Sequence, residues 1–198
     1  MGAAFTPEEQ AIIQADLIAA GRKFLVKYGM RKTSVDQLVA EVGISKGAFY
    51  KFYESKELLF FDILEDIHKE VYDGAAKIFE ETKDLPTIER VEKALFFTIQ
   101  VFSETSLLSF MMEELPIMLR KLPKEKMLLH SADDSKNIAT LLNTYDIHLP
   151  YPPEFVSSLV RALVCLVREK DCIGEDTYEE VIRFMVHSTC VSIFSNIP

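Results

Sequence analysis

Long apolar runs are missing from this chain of 198 residues, and none approaches the roughly 18 that a membrane-spanning helix needs. No membrane crossing is expected, and with 48% hydrophobic residues there is material for a sizeable soluble core. No basic-then-apolar leader stands at the start, so a cytoplasmic location is expected. Cysteine is scarce. Cys165, Cys172 and Cys190 are odd in number and lack Cys-x-x-Cys spacing, which reads as reduced thiols packed in helices. A redox sensor is the sharper alternative, and it requires an electropositive, exposed thiol. The four histidines (His68, His130, His148, His187) lie far apart without metal-ligand spacing, so neither a metal nor another cofactor is expected. A Gly-rich phosphate loop, a Gly-x-Ser-x-Gly elbow and a His-Glu-x-x-His helix are all lacking. Glu113-Glu114 and Asp133-Asp134 are adjacent pairs that diverge on a helix. Enzymatic chemistry is therefore not expected.

An excess of positive charge is also missing. At a net charge of −9 the chain as a whole repels nucleic acid. The deficit is uneven, however. Arg22 to Lys56 holds eight basic residues against three acids, whereas residues 61 to 198 hold 14 against 24. A local basic region on an acidic body fits phosphate attraction confined to the amino-terminal part.

Within that basic region, residues 33 to 59 read as two short helices joined by a glycine turn, with a third helix directly behind. Ser34 can cap the first helix with Gln37 reaching back as a capping box, and Leu38, Val39 and Val42 give it one apolar side. Gly43 tolerates the left-handed conformation that stops a helix, and Ser45 supplies a fresh N-cap. On the second helix, about 46 to 53, Phe49, Phe52 and Tyr53 point inward. Lys46 and Tyr50 are one helical turn apart on the outer side with Lys51 nearby, while Gly47 and Ala48 keep the first turn slim. A slim cationic helix start suits a major groove about 12 Å wide. Ser55 caps the next helix, where Lys56 and the free N–H groups would offer a phosphate-binding end.

These residues resemble the TetR-type transcriptional regulators. The likeness is carried by Thr33-Ser34, by Val42 to Tyr50, and by Phe52 to Leu59, and covers roughly residues 10 to 60. It implies that Ser34, Tyr50 and Lys56 hold phosphates and that Ser45, Lys46, Gly47 and Ala48 lie at or near the bases, with Thr33 and Lys51 adjoining. In that family the position of Ala48 is commonly Thr or Ser, so only an apolar contact remains available to it.

The rest of the chain reads helical. A first helix, about 8 to 28, opens on a Thr6-Pro7-Glu9 cap, stacks Ile13, Leu17, Ala20, Phe24 and Tyr28 on one side, and stops at Gly29. A long helix is expected from Lys56 to about Glu81, then helices at about 88–104, 107–114 (ending before Pro116), 124–144, 153–170 and 175–195. No Gly/Ser linker, low-complexity run or internal repeat interrupts them. The last two helices are apolar over too wide an arc for a single core contact. Phe155, Leu159, Leu163, Leu166, Met185 and Val186 are accordingly expected at a partner chain. Ordinary central packing is the plainer explanation, and resemblance favours the dimer through a four-helix bundle. Between residues 96 and 118 large soft side chains gather. Phe97, Phe102, Phe110 and Met111 are either ordinary core or the lining of an apolar effector cavity.

The expectation is an all-α protein of about nine helices, with a helix-turn-helix domain over 1–54 and an effector-binding and dimerisation domain over 55–198. The expected role is that of a homodimeric DNA-binding regulator, a repressor released from a palindromic double-stranded operator by a small-molecule effector. A helical small-molecule carrier or interaction protein is the alternative, and a small helical enzyme a more remote one.

Overall fold

The computed structural model describes residues 5–103, 107 and 109–195, with side chains in that range other than those of 126–134, 168 and 195. Every regular element among the described residues is helical, as the apolar spacing predicts. The order is α1 (Pro7–Lys32), α2 (Val35–Val42), α3 (Lys46–Phe52), α4 (Lys56–Glu81) and α5 (Thr87–Phe102). A π-helical turn (Phe110–Glu114) then runs into α6 (Leu115–Leu119), followed by α7 (Lys124–Thr144) and α8 (Pro153–Cys165). A 3-10 turn (Leu166–Glu169), α9 (Lys170–Ile173) and α10 (Tyr178–Ser195) complete it.

Local signals set most of these bounds. Thr6 and Glu9 form the capping box of α1, with Pro7 in its first turn, and Ser34 and Gln37 form that of α2. Gly43, at φ 76°, takes the left-handed cap that ends α2. Gly29 sits inside α1 at φ 77° and ψ 165°, so the regular helix stops there and a short turn follows. The piece expected to end before Pro116 does end at Glu114, and Pro116 lies in the first turn of α6. One expectation needs correction. The single helix expected over 153–170 stops at Cys165 and tightens into the 3-10 turn.

Packing forms two compact units, Met1–Ile67 with Ser109–Leu122, and His68–Leu108 with Pro123–Pro198. The change of unit falls within α4, later than the division expected at 54/55, and the 109–122 segment joins the first unit. In that unit Leu17, Leu38, Phe49, Leu59, Phe60, Ile63, Leu64, Phe110 and Met118 are wholly buried. Each such side chain contributes about 1.5–3 kcal/mol by leaving water. Gly21 lets α1 and α4 approach closely, since a Cβ there would stand 2.4 Å from Ile63 Cδ1. Tyr28, expected on the buried stripe of α1, is 39% exposed, because it lies at the end of the regular helix beside Gly29.

The second unit holds two apolar clusters. Ile99 joins Leu163, Val167, Ile182, Val186 and Cys190 in one, and Ala75, Phe79, Ala94 and Ile147 form the other. Leu163 and Val186 are therefore core residues and not partner contacts. Their helices also bury a face within their own unit, which the breadth of the apolar arc alone could not reveal. Exposed apolar surface remains on the same two helices at Phe155 (46%), Phe184 (70%) and Met185 (37%).

Candidate nucleic-acid interface

Seven residues make α3, and burial divides them cleanly. Phe49 is wholly buried, with the Tyr50 ring edge-on to it at 5.4 Å and the Tyr53 ring at 5.9 Å. Lys46, Gly47, Tyr50 and Lys51, at helical spacing, are exposed with the N-cap Ser45. Ser45 Oγ accepts from the Ala48 N–H at 3.1 Å, which fixes the start of the helix and leaves its outer side unobstructed by the cap. Ser34, at the head of α2, is exposed too, and its Oγ accepts from the Gln37 N–H at 3.2 Å.

The basic residues are not equivalent. Arg22 pairs with Asp66 at 3.0 Å and Lys23 with Glu41 at 2.7 Å, so both join helices of the first unit. Lys46 reaches Asp36 at 3.0 Å, but both side chains are more than half exposed. Such a surface pair is worth up to about 1 kcal/mol and yields readily to a phosphate. The Lys51 ammonium stands 5.8 Å from the centre of the Phe5 ring.

Three expected contact residues are placed elsewhere. Thr33 is 1% exposed, and its Oγ1 donates to the Gly29 carbonyl at 2.8 Å. Ala48 is 8% exposed, packed beneath α3, so its methyl is withdrawn from a groove. The Lys56 ammonium donates to the carbonyls of Thr33 at 2.6 Å and Met30 at 2.8 Å, with that of Arg31 at 3.5 Å. Burial lowers its pKa, the nearby Glu57 charge opposing and Lys121 adding to the effect. Lys56 thus acts as a cap on the turn ahead of α2. The members of the expected set that remain exposed are Ser34, Ser45, Lys46, Gly47, Tyr50 and Lys51.

Residues 17–63, which hold this arrangement, match the family model described as bacterial regulatory proteins, tetR family. That segment is similar to the TetR family over about a quarter of the chain. A curated relative, the uncharacterized HTH-type transcriptional regulator YhgD of Bacillus subtilis, is 29% identical over 100 residues, covering 46% of this chain and 51% of that one. The chain spans about half the length of the curated relatives it matches. Two solved structures share the fold. SmeT, named as the repressor of the Stenotrophomonas maltophilia multidrug efflux pump SmeDEF, has a TM-score of 0.56 at 16% identity, covering 90% of this chain and 88% of that one. RolR in complex with resorcinol has a TM-score of 0.58 at 13% identity, covering 93% and 90%. The segment matched by the family model contains all of α2 and α3.

The other expected sites are less gathered. Phe110 is wholly buried, its ring 6.3 Å from that of Phe60, and with half-buried Met111 it belongs to the first unit. Phe97 and Phe102 belong to the second, where Phe102 is 6% exposed. Phe97 lies against Gly74, where an added Cβ would stand 2.1 Å from its ring. No single unit holds all four. On α10 the exposed Phe184 stands beside Met185, a residue expected at a partner chain, and three positions from Val181.

Proposed function

We propose that this chain is a homodimeric transcriptional repressor of the cytoplasm that binds a palindromic double-stranded DNA operator and is released from it by a small-molecule effector. The observation that carries the reading is the outer side of α3: Lys46, Gly47 and Tyr50 exposed together with Ser45 while Phe49 is wholly buried. That arrangement presents a narrow cationic helix face from a rigid base. Phosphate contacts fix the register of such a helix, and side chains at its start meet base edges in the major groove. Residues 1–54 supply this reading head, and residues 55–198 supply effector binding and dimerisation.

Dimerisation is assigned to the exposed apolar residues Phe155, Phe184 and Met185, with half-buried Leu159 and Leu166 beside them. A twofold assembly requires half-sites separated by about one helical turn of DNA or a multiple of it. Effector binding is assigned to the second unit around half-buried Phe97. Release requires that the effector bind the DNA-incompetent shape more tightly than the competent one. Repression is the role named for SmeT, and resorcinol is the ligand named for RolR. Selection of bound fragments from a random DNA pool tests the reading, with enrichment of one inverted repeat expected. Recovery of unrelated sequences at moderate salt would refute it.

A further inference from the structure

Six residues on from the helix break at Gly29 lies Val35, the start of α2, and the intervening turn is held from both sides. At Gly29 the backbone leaves the helical region, at φ 77°. Beyond it, the Met30 N–H donates to Glu114 Oε2 at 2.6 Å and the Arg31 N–H to Oε1 at 3.1 Å. One carboxylate thus takes two backbone donors, one on each oxygen. The acceptors of the same turn, Met30 O and Thr33 O, are bound by the Lys56 ammonium at 2.8 and 2.6 Å. Thr33 closes the turn by donating to Gly29 O, and Ser34 follows as the N-cap of α2. A second polar grip comes from the segment that carries Glu114: Lys121 Nζ meets Glu57 Oε1 at 2.7 Å, one residue from Lys56.

We propose that Glu114 is a positioning residue for DNA binding, clamping the 29–33 turn and thereby fixing where α2 and α3 begin. It touches neither base nor phosphate in this role. The segment 109–122 packs in the first unit while the chain on both sides of it belongs to the second. The inference rests on the DNA-binding reading given above.

The sign of the effect separates the clamp from plain surface charge. A carboxylate on a DNA-binding unit repels phosphates, so neutralising it should tighten binding or leave it unchanged. Loss of a clamp should weaken binding. The test uses the full-length protein and the inverted repeat that it enriches from a random pool. Affinity is measured for wild type, Glu114→Ala, Glu114→Gln and the charge control Asp16→Asn, an exposed acid of the first unit. Amide hydrogen exchange at Met30 and Arg31 is followed in the free proteins, and thermal melting confirms folding. Glu114→Ala is expected to bind on the order of tenfold more weakly, as loss of charge-assisted hydrogen bonds implies. Glu114→Gln keeps one acceptor oxygen and should recover part of the affinity, while Asp16→Asn should match wild type or exceed it. Met30 and Arg31 should exchange faster in both Glu114 variants. Should Glu114→Ala not fold, the glutamine variant and its exchange carry the test. Unchanged or tighter DNA binding by a folded Glu114 variant, or unchanged exchange at both amides, overturns the clamp. Failure of the wild type to enrich any site overturns the DNA reading itself, and this role with it.

Discussion

Cys190 shows how a residue's surroundings decide its chemistry. It is wholly buried in the cluster with Val186, and burial, with the charge of Glu92 adding, pushes its pKa up to about 12. A thiol so held stays protonated and unreactive at neutral pH, which speaks against Cys190 as a redox sensor. Tyr53 behaves alike: burial, with the Asp62 charge adding, raises its phenol to about 12. Both groups are acids whose folded pKa lies above the unfolded one, so the unfolded state holds fewer protons in alkaline solution. Stability from these two groups is fully present below about pH 9 and falls as pH rises from there toward 12. Urea titrations at pH 8 and pH 10.5 should show the loss, and Cys190→Ala should make it shallower. Thiol labelling of the native protein should reach exposed Cys172 well before Cys190. Residues with local partners were legible in the sequence: Ser34, Gln37, Gly43 and Ser45 each act within four positions. Thr33, Ala48 and Lys56 were misplaced because long-range packing and bonding set their surroundings. Lys56 serves carbonyls as much as 26 positions away, and Glu114 meets an amide 84 positions away.

Among the elements, α4 was read from Lys56 to Glu81 and is found there, since Ser55 caps it and its apolar stripe has helical period throughout. What periodicity could not give is the reason for Gly74. Glycine inside a helix costs about 1 kcal/mol relative to alanine, yet a Cβ at 74 would stand 2.1 Å from Phe97 Cε1 and 2.2 Å from Cζ. The space belongs to the Phe97 ring, which brings α5 against α4. Gly74→Ala should therefore lower stability by about 1–3 kcal/mol, as overpacking does, despite alanine's helix propensity. Pairing it with Phe97→Leu should restore part of the loss. Thermal unfolding of the two single variants and the double variant checks this, and a stabilised Gly74→Ala would contradict it. The π-turn and α6 were the least legible elements, because Pro116 serves equally well to stop one helix or to start another.

For the whole molecule, the account requires two copies. Phe184 is 70% exposed and Phe155 46%, and a charge at either position would stand in the middle of the proposed partner surface. Phe184→Glu should shift the protein from dimer to monomer in sedimentation at micromolar concentration, with its melting curve little changed at dilutions where wild type is also monomeric. A variant that remains dimeric would move the interface elsewhere. Monomers should also lose most of their operator affinity, since one half-site supplies one set of contacts. The central claim is that the outer side of α3 reads DNA, and the most direct measurement is the salt-dependent affinity of Lys46→Ala for the enriched operator. If each protomer's Lys46 meets a phosphate, removing it weakens binding and lowers the slope of log K against log salt by about two per dimer; if it meets a base, the variant loses discrimination between the operator and its mutated half-sites, by about 1–3 kcal/mol per contact. Operator affinity, salt slope and discrimination all equal to wild type would contradict the account.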